Sequence, residues 1–179
     1  MNTLFMMVAI VLPSSLAGIL IIGHENGLAQ EEVGSTFTSK GMIDSTTISN
    51  GTEEFLLGGT WELAVVNGDP IDFNADFTMV RVNGSDRHMM NLFDFRGNDN
   101  ETIVLSDDGS TTMNGMMNIM GHGHLLWENV TSQISINRYN TISIMVDNEQ
   151  TENHLPSGVH GIVESLIPGF ISTHNTHKE

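Results

Sequence analysis

The distribution of apolar residues along this chain predicts β-strands rather than helices. Between residues 71 and 82, apolar and polar positions alternate, with Ile71, Phe73, Ala75, Phe77 and Met79 sharing one parity and polar side chains the other. A period of two is typical of a strand with one buried face. An Asn-Gly pair follows directly, and this pair favours a tight hairpin turn.

Similar short apolar runs recur along the chain at intervals of about eight to twelve residues, separated by turn sequences. The predicted strands are residues 61–66, 71–82, 87–95, 102–105, 113–120, 125–127, 134–136 and 142–146. This pattern predicts an all-β fold, an antiparallel β-sandwich or barrel of about eight strands. Residues 159–167 fit a strand or a short helix, because their apolar positions also recur with helical spacing.

The N-terminal segment predicts export. Residues 4–22 are apolar apart from two serines, and Gly27 and Ala29 supply the small residues of a signal-peptidase site. We expect a signal peptide cleaved after Ala29, with an uncleaved membrane anchor as the alternative, since the apolar run is just long enough to span a bilayer. In both cases the remainder is extracytoplasmic, either secreted or membrane-anchored.

Composition divides the rest of the chain into three parts. Residues 30–58 are rich in Ser, Thr, Gly and Glu without sustained periodicity, and this predicts a flexible linker with a candidate short strand near residues 46–49. Residues 59–167 carry the strand pattern and form the predicted β-domain. Residues 168–179 are expected to be a C-terminal tail.

Charge and cysteine content exclude several functions. The 22 acidic residues against 6 basic ones give a formal charge of −16, which disfavours binding to nucleic acid. The chain has no cysteine, so disulfides, thiolate zinc sites, iron–sulfur clusters and blue-copper centres are all excluded. No nucleophile elbow or phosphate-binding loop is present, and the sequence therefore favours a non-catalytic protein.

Methionine and histidine concentrate in residues 113–124, which read MNGMMNIMGHGH. In an extended strand Met116 and Met120 share one face, and continued extension adds His122 and His124. His88, with the same parity as Met90, is a further candidate on another strand. Thioether and imidazole ligands suit copper, which is the candidate ion. The favoured alternative is a core packed with methionine, with the histidines in a polar loop.

Two metal-binding folds share local features with the chain. The pair His88-Met89 is similar to one in cupredoxin-like copper chaperones, but the later Met and His residues do not keep the expected spacing. Two segments, HGHLLWE and PSGVH, resemble the motifs of the cupin superfamily. That resemblance implies a metalloenzyme or a metal-dependent carbohydrate-binding protein, with the ligands His122, His124, Glu128 and His160. The expected glycines are displaced or missing, and the last histidine is one residue too close to its glycine.

The chain has four Asn-x-Ser/Thr sequons, at Asn50, Asn83, Asn100 and Asn129, which are candidate glycan acceptors in an exported chain. Their number is close to that expected by chance for this composition. Acidic turns at residues 98–100 and 107–110 lack the complete calcium-loop pattern and fit ordinary turn chemistry.

The chain also resembles uncharacterised secreted β-domain proteins of ammonia-oxidising archaea across residues 59–163. The similar segments are residues 59–63, residues 73–80, His88, Trp127 with Val130, and His154 with residues 158–163. This resemblance implies a copper-dependent, often saline setting and no particular activity. The sequence therefore predicts an exported binding protein of the cell envelope, with a transition metal such as copper as its candidate ligand.

Overall fold

The computed structural model describes residues 34–49 and 51–169, which form a closed barrel of eight antiparallel strands. The strands are β1 (Phe37–Ser49), β2 (Thr52–Val66), β3 (Asp69–Arg81), β4 (His88–Gly97), β5 (Thr111–Gly121), β6 (His124–Asn137), β7 (Thr141–Val146) and β8 (Val159–Pro168). Each strand pairs with the next along the chain, and β8 closes the barrel on β1. The predicted all-β fold and strand number are confirmed, and the closed order selects a barrel over a sandwich.

The up-and-down strand order gives the barrel two distinct ends. The entry end contains the start of β1, the end of β8 and the connections after β2, β4 and β6. The opposite end contains the connections after β1, β3, β5 and β7. We call it the histidine end, because all five histidines of the described residues lie there, namely His88, His122, His124, His154 and His160.

The barrel interior is filled by side chains. Phe73, Phe77 and Met79 are at most 2% exposed, as their alternation predicts. Eight strands enclose a space just wide enough for such side chains. The largest of the other fully buried residues are Phe37, Ile43, Met90, Leu92, Met113, Met117, Ile119, Ile134 and Ile136.

Hairpin turns of two residues link several strands. Asn67-Gly68 joins β2 to β3, and His122-Gly123 joins β5 to β6. All four residues have positive φ, between 51° and 84°. Turns of this hand match the right-handed twist of the flanking strands.

The predicted linker is wrong over residues 37–58, which form β1 and the first half of β2. The inward positions of β1 include small or polar residues such as Ser39, Gly41 and Thr47, all buried. The apolar alternation that reveals a strand in the sequence is therefore weak there. The predicted signal peptide or anchor, residues 1–29, lies outside the described residues, and no helix of the described part of the chain is both long and apolar enough to span a bilayer.

Three other expectations change in detail. Residues 102–105 form no barrel strand; they run along the entry end, where Ile103 N donates to Gly68 O at 3.0 Å. Residues 125–127 and 134–136 both belong to β6. This strand is interrupted at Asn129, which has a φ of 53°. Residues 159–167 lie within strand β8.

The strand order also bears on the cupin resemblance. Cupins are jelly rolls, in which two sheets are linked by Greek-key crossings. In the described residues every strand pairs with its neighbours in sequence, apart from the closing pair of β1 and β8. The architecture that the cupin resemblance implies is therefore not the one observed.

Candidate functional site

Three imidazole rings come together at the histidine end. They belong to His88 at the start of β4, His122 in the turn after β5, and His154 in the connection between β7 and β8. The ring centroid of His88 lies 4.7 Å from that of His122, in a stacked arrangement, and 5.5 Å from that of His154. We call these three residues the histidine cluster. The sequence predicted two of them as candidate ligands and missed His154 in that role.

His88 is held in one orientation by the turn that precedes it. Its side chain is buried on the inner face of β4, and Nδ1 lies 3.2 Å from the carbonyl oxygen of Asp86 and 3.7 Å from a carboxylate oxygen of the same residue. A proton on Nδ1 that is donated to this carbonyl leaves the lone pair on Nε2. Nε2 of His88 is itself buried and has no hydrogen-bond partner among the described residues.

His154 reaches the cluster because its loop crosses the mouth of the barrel. The loop, residues 147–158, connects β7 to β8, and β8 lies opposite β4 in the ring of eight strands. Thr151 and Leu155 are fully buried, so the loop is packed down onto the barrel. Nε2 of His154 is buried and finds no hydrogen-bond partner in residues 34–49 and 51–169, and the ring centroid of His154 lies 5.6 Å from that of Trp127.

The protonation state of His154 is set by its surroundings. Burial lowers the pKa of His154 below its ordinary value of 6.5, and the neighbouring His88 and His122 lower it further. The carboxylates of Asp86 and Glu54 act in the opposite direction but less strongly overall. At neutral pH the ring is therefore uncharged, and uncharged imidazole is the form that binds metals.

This lowered pKa predicts a pH-dependent stability of the metal-free protein. Because the pKa of His154 is lower in the fold than in the unfolded chain, the unfolded chain takes up the proton first as the pH falls through about 6.5, so acid favours the unfolded state. We expect the thermal unfolding midpoint to decrease when the pH is lowered from 7 to 5, and to decrease less in His154→Gln than in the wild type. Thermal unfolding by circular dichroism in the presence of a chelator measures both. If the unfolding midpoint depends on pH equally in His154→Gln and in the wild type, His154 is not the source of the pH dependence.

The methionines of β5 divide between the two faces of the barrel wall. Met113 and Met117 are fully buried in the core, whereas Met116 is 43% exposed and Met120 is half-buried on the outer face. The core-packing interpretation is therefore wrong for Met116. The prediction that His122 and His124 continue the strand face of Met116 and Met120 is also wrong. Strand alternation ends at the turn, where His122 has φ of 51°.

The cupin-like set is spread over the outside of the barrel. His124 and Glu128 are exposed on β6, and His160 is exposed on β8. Nε2 of His160 already lies 2.8 Å from the carbonyl oxygen of Ser157. Within residues 34–49 and 51–169, no three His, Asp or Glu side chains are arranged as a ready-made metal site.

The rings of the histidine cluster are spaced as in a metal site, but they are not oriented as in one. Two imidazoles that bind one ion at about 2.0–2.1 Å have centroids roughly 4.5–6 Å apart, a range that includes both measured distances. The stacked rings of His88 and His122 do not aim nitrogen atoms at one point. His122 is exposed and lies between Gly121 and Gly123, so its ring is the one free to turn.

Comparison of the chain with protein-family models, with curated proteins and with solved structures gave no match. The resemblance to secreted archaeal proteins therefore stays a prediction. The histidine cluster is the feature from which a function has to be inferred.

Proposed function

We propose that the protein is an exported, non-catalytic binding protein whose histidine cluster takes up a transition-metal ion, with copper as the leading candidate. The observation that carries this proposal is the pair of buried Nε2 atoms, on His88 and His154, that have no hydrogen-bond partner within the part of the chain that the structure describes. A buried polar atom left without a partner costs about 1–3 kcal/mol. A metal ion bound between the rings removes that cost for both residues.

The surroundings of the cluster suit imidazole ligation. The contact between Asp86 and Nδ1 of His88 resembles the outer partner that fixes the ring and tautomer of most metal-bound histidines. Neutral imidazoles bind copper and zinc in preference to calcium or magnesium. His88 and His154 supply two nitrogen ligands, and His122 completes a set of three after its ring turns.

Export and envelope association rest on the apolar residues 4–22 and the small residues that follow them. The charge of −16 supports a partner that is a cation rather than a nucleic acid. We assign no reaction to the protein. Metal uptake at the histidine end is its proposed activity.

Metal titration of the protein purified without a histidine tag tests the proposal. We expect one Cu(II) or Zn(II) ion per chain by calorimetry and elemental analysis. His88→Gln, His122→Asn and His154→Gln should each weaken binding by about 100-fold or more, because even outer-sphere partners are worth 10–100-fold. Asn is chosen at position 122 because it tolerates positive φ.

His124→Gln and His160→Gln are the matched controls, since both residues are exposed at the same end but outside the cluster. Both variants should bind like the wild type. Thermal unfolding of every variant separates lost ligands from lost folding. Absence of stoichiometric metal in the folded wild type, or equal losses in the control variants, overturns the proposal.

A further inference from the structure

We propose that Met90 supplies a thioether ligand to the histidine cluster, and that the ion it takes is therefore monovalent copper. This inference rests on the proposed metal-binding function and specifies its ligand. The methionines singled out in the sequence as candidate ligands, Met116 and Met120, lie on the outer face of the barrel wall. Met90 lies on the inner face, beneath the cluster.

Strand geometry places Met90 next to two members of the cluster. It follows His88 by two residues on β4, so both side chains point into the barrel. Both are buried, with Met90 1% and His88 6% exposed. Across the sheet Met90 pairs with Gly121, the residue directly before His122.

The sulfur atom of Met90 fills the space above Gly121. A Cβ atom added to this glycine would lie 2.9 Å from Sδ of Met90, and 2.6 Å from a terminal carbon of Leu126. The thioether therefore occupies the place that a side chain at position 121 would take, beside the turn that carries His122. The absence of a side chain on Gly121 is what allows the sulfur to lie there.

The chemistry of this environment favours a soft ion of low charge. Thioether sulfur is a soft ligand that suits Cu(I), whereas imidazole nitrogen suits zinc and divalent copper. The rings of Phe55 and Trp127 lie 6.0 Å from His88 and 5.6 Å from His154 respectively. Apolar surroundings penalise a divalent ion more than a monovalent one, because the cost of burying a charge rises with its size.

Replacing Met90 by Leu tests the inference, since this exchange conserves volume and usually costs less than about 1.5 kcal/mol. We measure Cu(I) affinity without oxygen by competition with a chromophoric Cu(I) chelator, and Zn(II) affinity by calorimetry. Met90→Leu should weaken Cu(I) binding by about tenfold or more and leave Zn(II) binding unchanged. X-ray absorption of the Cu(I) form should show a sulfur neighbour in the wild type and none in Met90→Leu.

Met113→Leu is the matched control, because Met113 is equally buried but lies near the entry end of β5. It should bind both ions like the wild type. Unchanged Cu(I) affinity in Met90→Leu, or equal losses for both ions, overturns the role of Met90 while leaving metal uptake intact. A folded wild type that binds neither ion overturns the metal-binding function itself.

Discussion

A shortened chain that comprises residues 59–169 is expected not to fold, although the sequence pattern places the start of the β-domain at Gly59. This chain lacks β1 and the first half of β2, which together close the barrel between β8 and β3. The loss exposes two long strand edges and removes four core side chains, those of Phe37, Ile43, Phe55 and Leu57. Loss of a single large core side chain costs about 2–5 kcal/mol, and whole domains are stable by only 5–15 kcal/mol.

The chain comprising residues 31–169 is the control and should fold, because it retains all eight strands. Far-UV circular dichroism and amide chemical-shift dispersion compare the two chains. We expect a cooperative thermal transition for the longer chain and none for the shorter. A cooperative transition in residues 59–169 would show that β1 is dispensable.

Gly59→Ala is expected to destabilise the barrel by about 3 kcal/mol or more. A Cβ atom at this position would lie 2.0 Å from the carbonyl oxygen of Asp76 and 2.5 Å from Cα of Phe77. Both are backbone atoms of β3, so relief requires β2 and β3 to separate rather than a side chain to turn. Overpacking of this kind typically costs 1–3 kcal/mol and more where backbone must move.

Gly58→Ala provides the comparison, one residue earlier on the same strand. No atom of the described residues lies within 4 Å of a Cβ atom added there, and this glycine has no positive φ. Its replacement should leave stability unchanged or raise it by a few tenths of a kcal/mol, because alanine restricts the unfolded chain. Urea unfolding measures both variants. Equal unfolding midpoints would show that β2 and β3 are not this close.

Strong alternation in the sequence predicted the strands well, and weak alternation concealed them. Residues 71–82 were identified because apolar side chains alternate with polar ones, although Ile71, which is 60% exposed, does not face the core as that alternation predicts. In β1 several inward positions hold Ser39, Gly41 and Thr47, so the same geometry leaves no hydrophobic signal. The closure of β8 on β1 could not be predicted from local pattern, because it joins strands from the two ends of the domain.

The candidate site was predicted only in part, because it too depends on a contact between distant parts of the chain. His88 and His122 were identified as candidate ligands from their neighbours in sequence. His154 was missed in this role because only the path of its loop across the barrel mouth brings it to β4, about 66 residues away in sequence. Leu155, an apolar residue in an otherwise polar loop, is the signal that the loop is packed down and not free in solvent.

An even number of strands has a practical consequence for how the protein can be attached. The chain enters β1 and leaves β8 at the same end, so Phe37 and Pro168 both lie roughly 30 Å from the histidine end, the span of a tilted strand of this length. A fusion partner or a solid support joined close to Phe37 or Pro168 would therefore attach at the entry end. The histidine end would stay uncovered in both cases, with His122 exposed there and His88 buried.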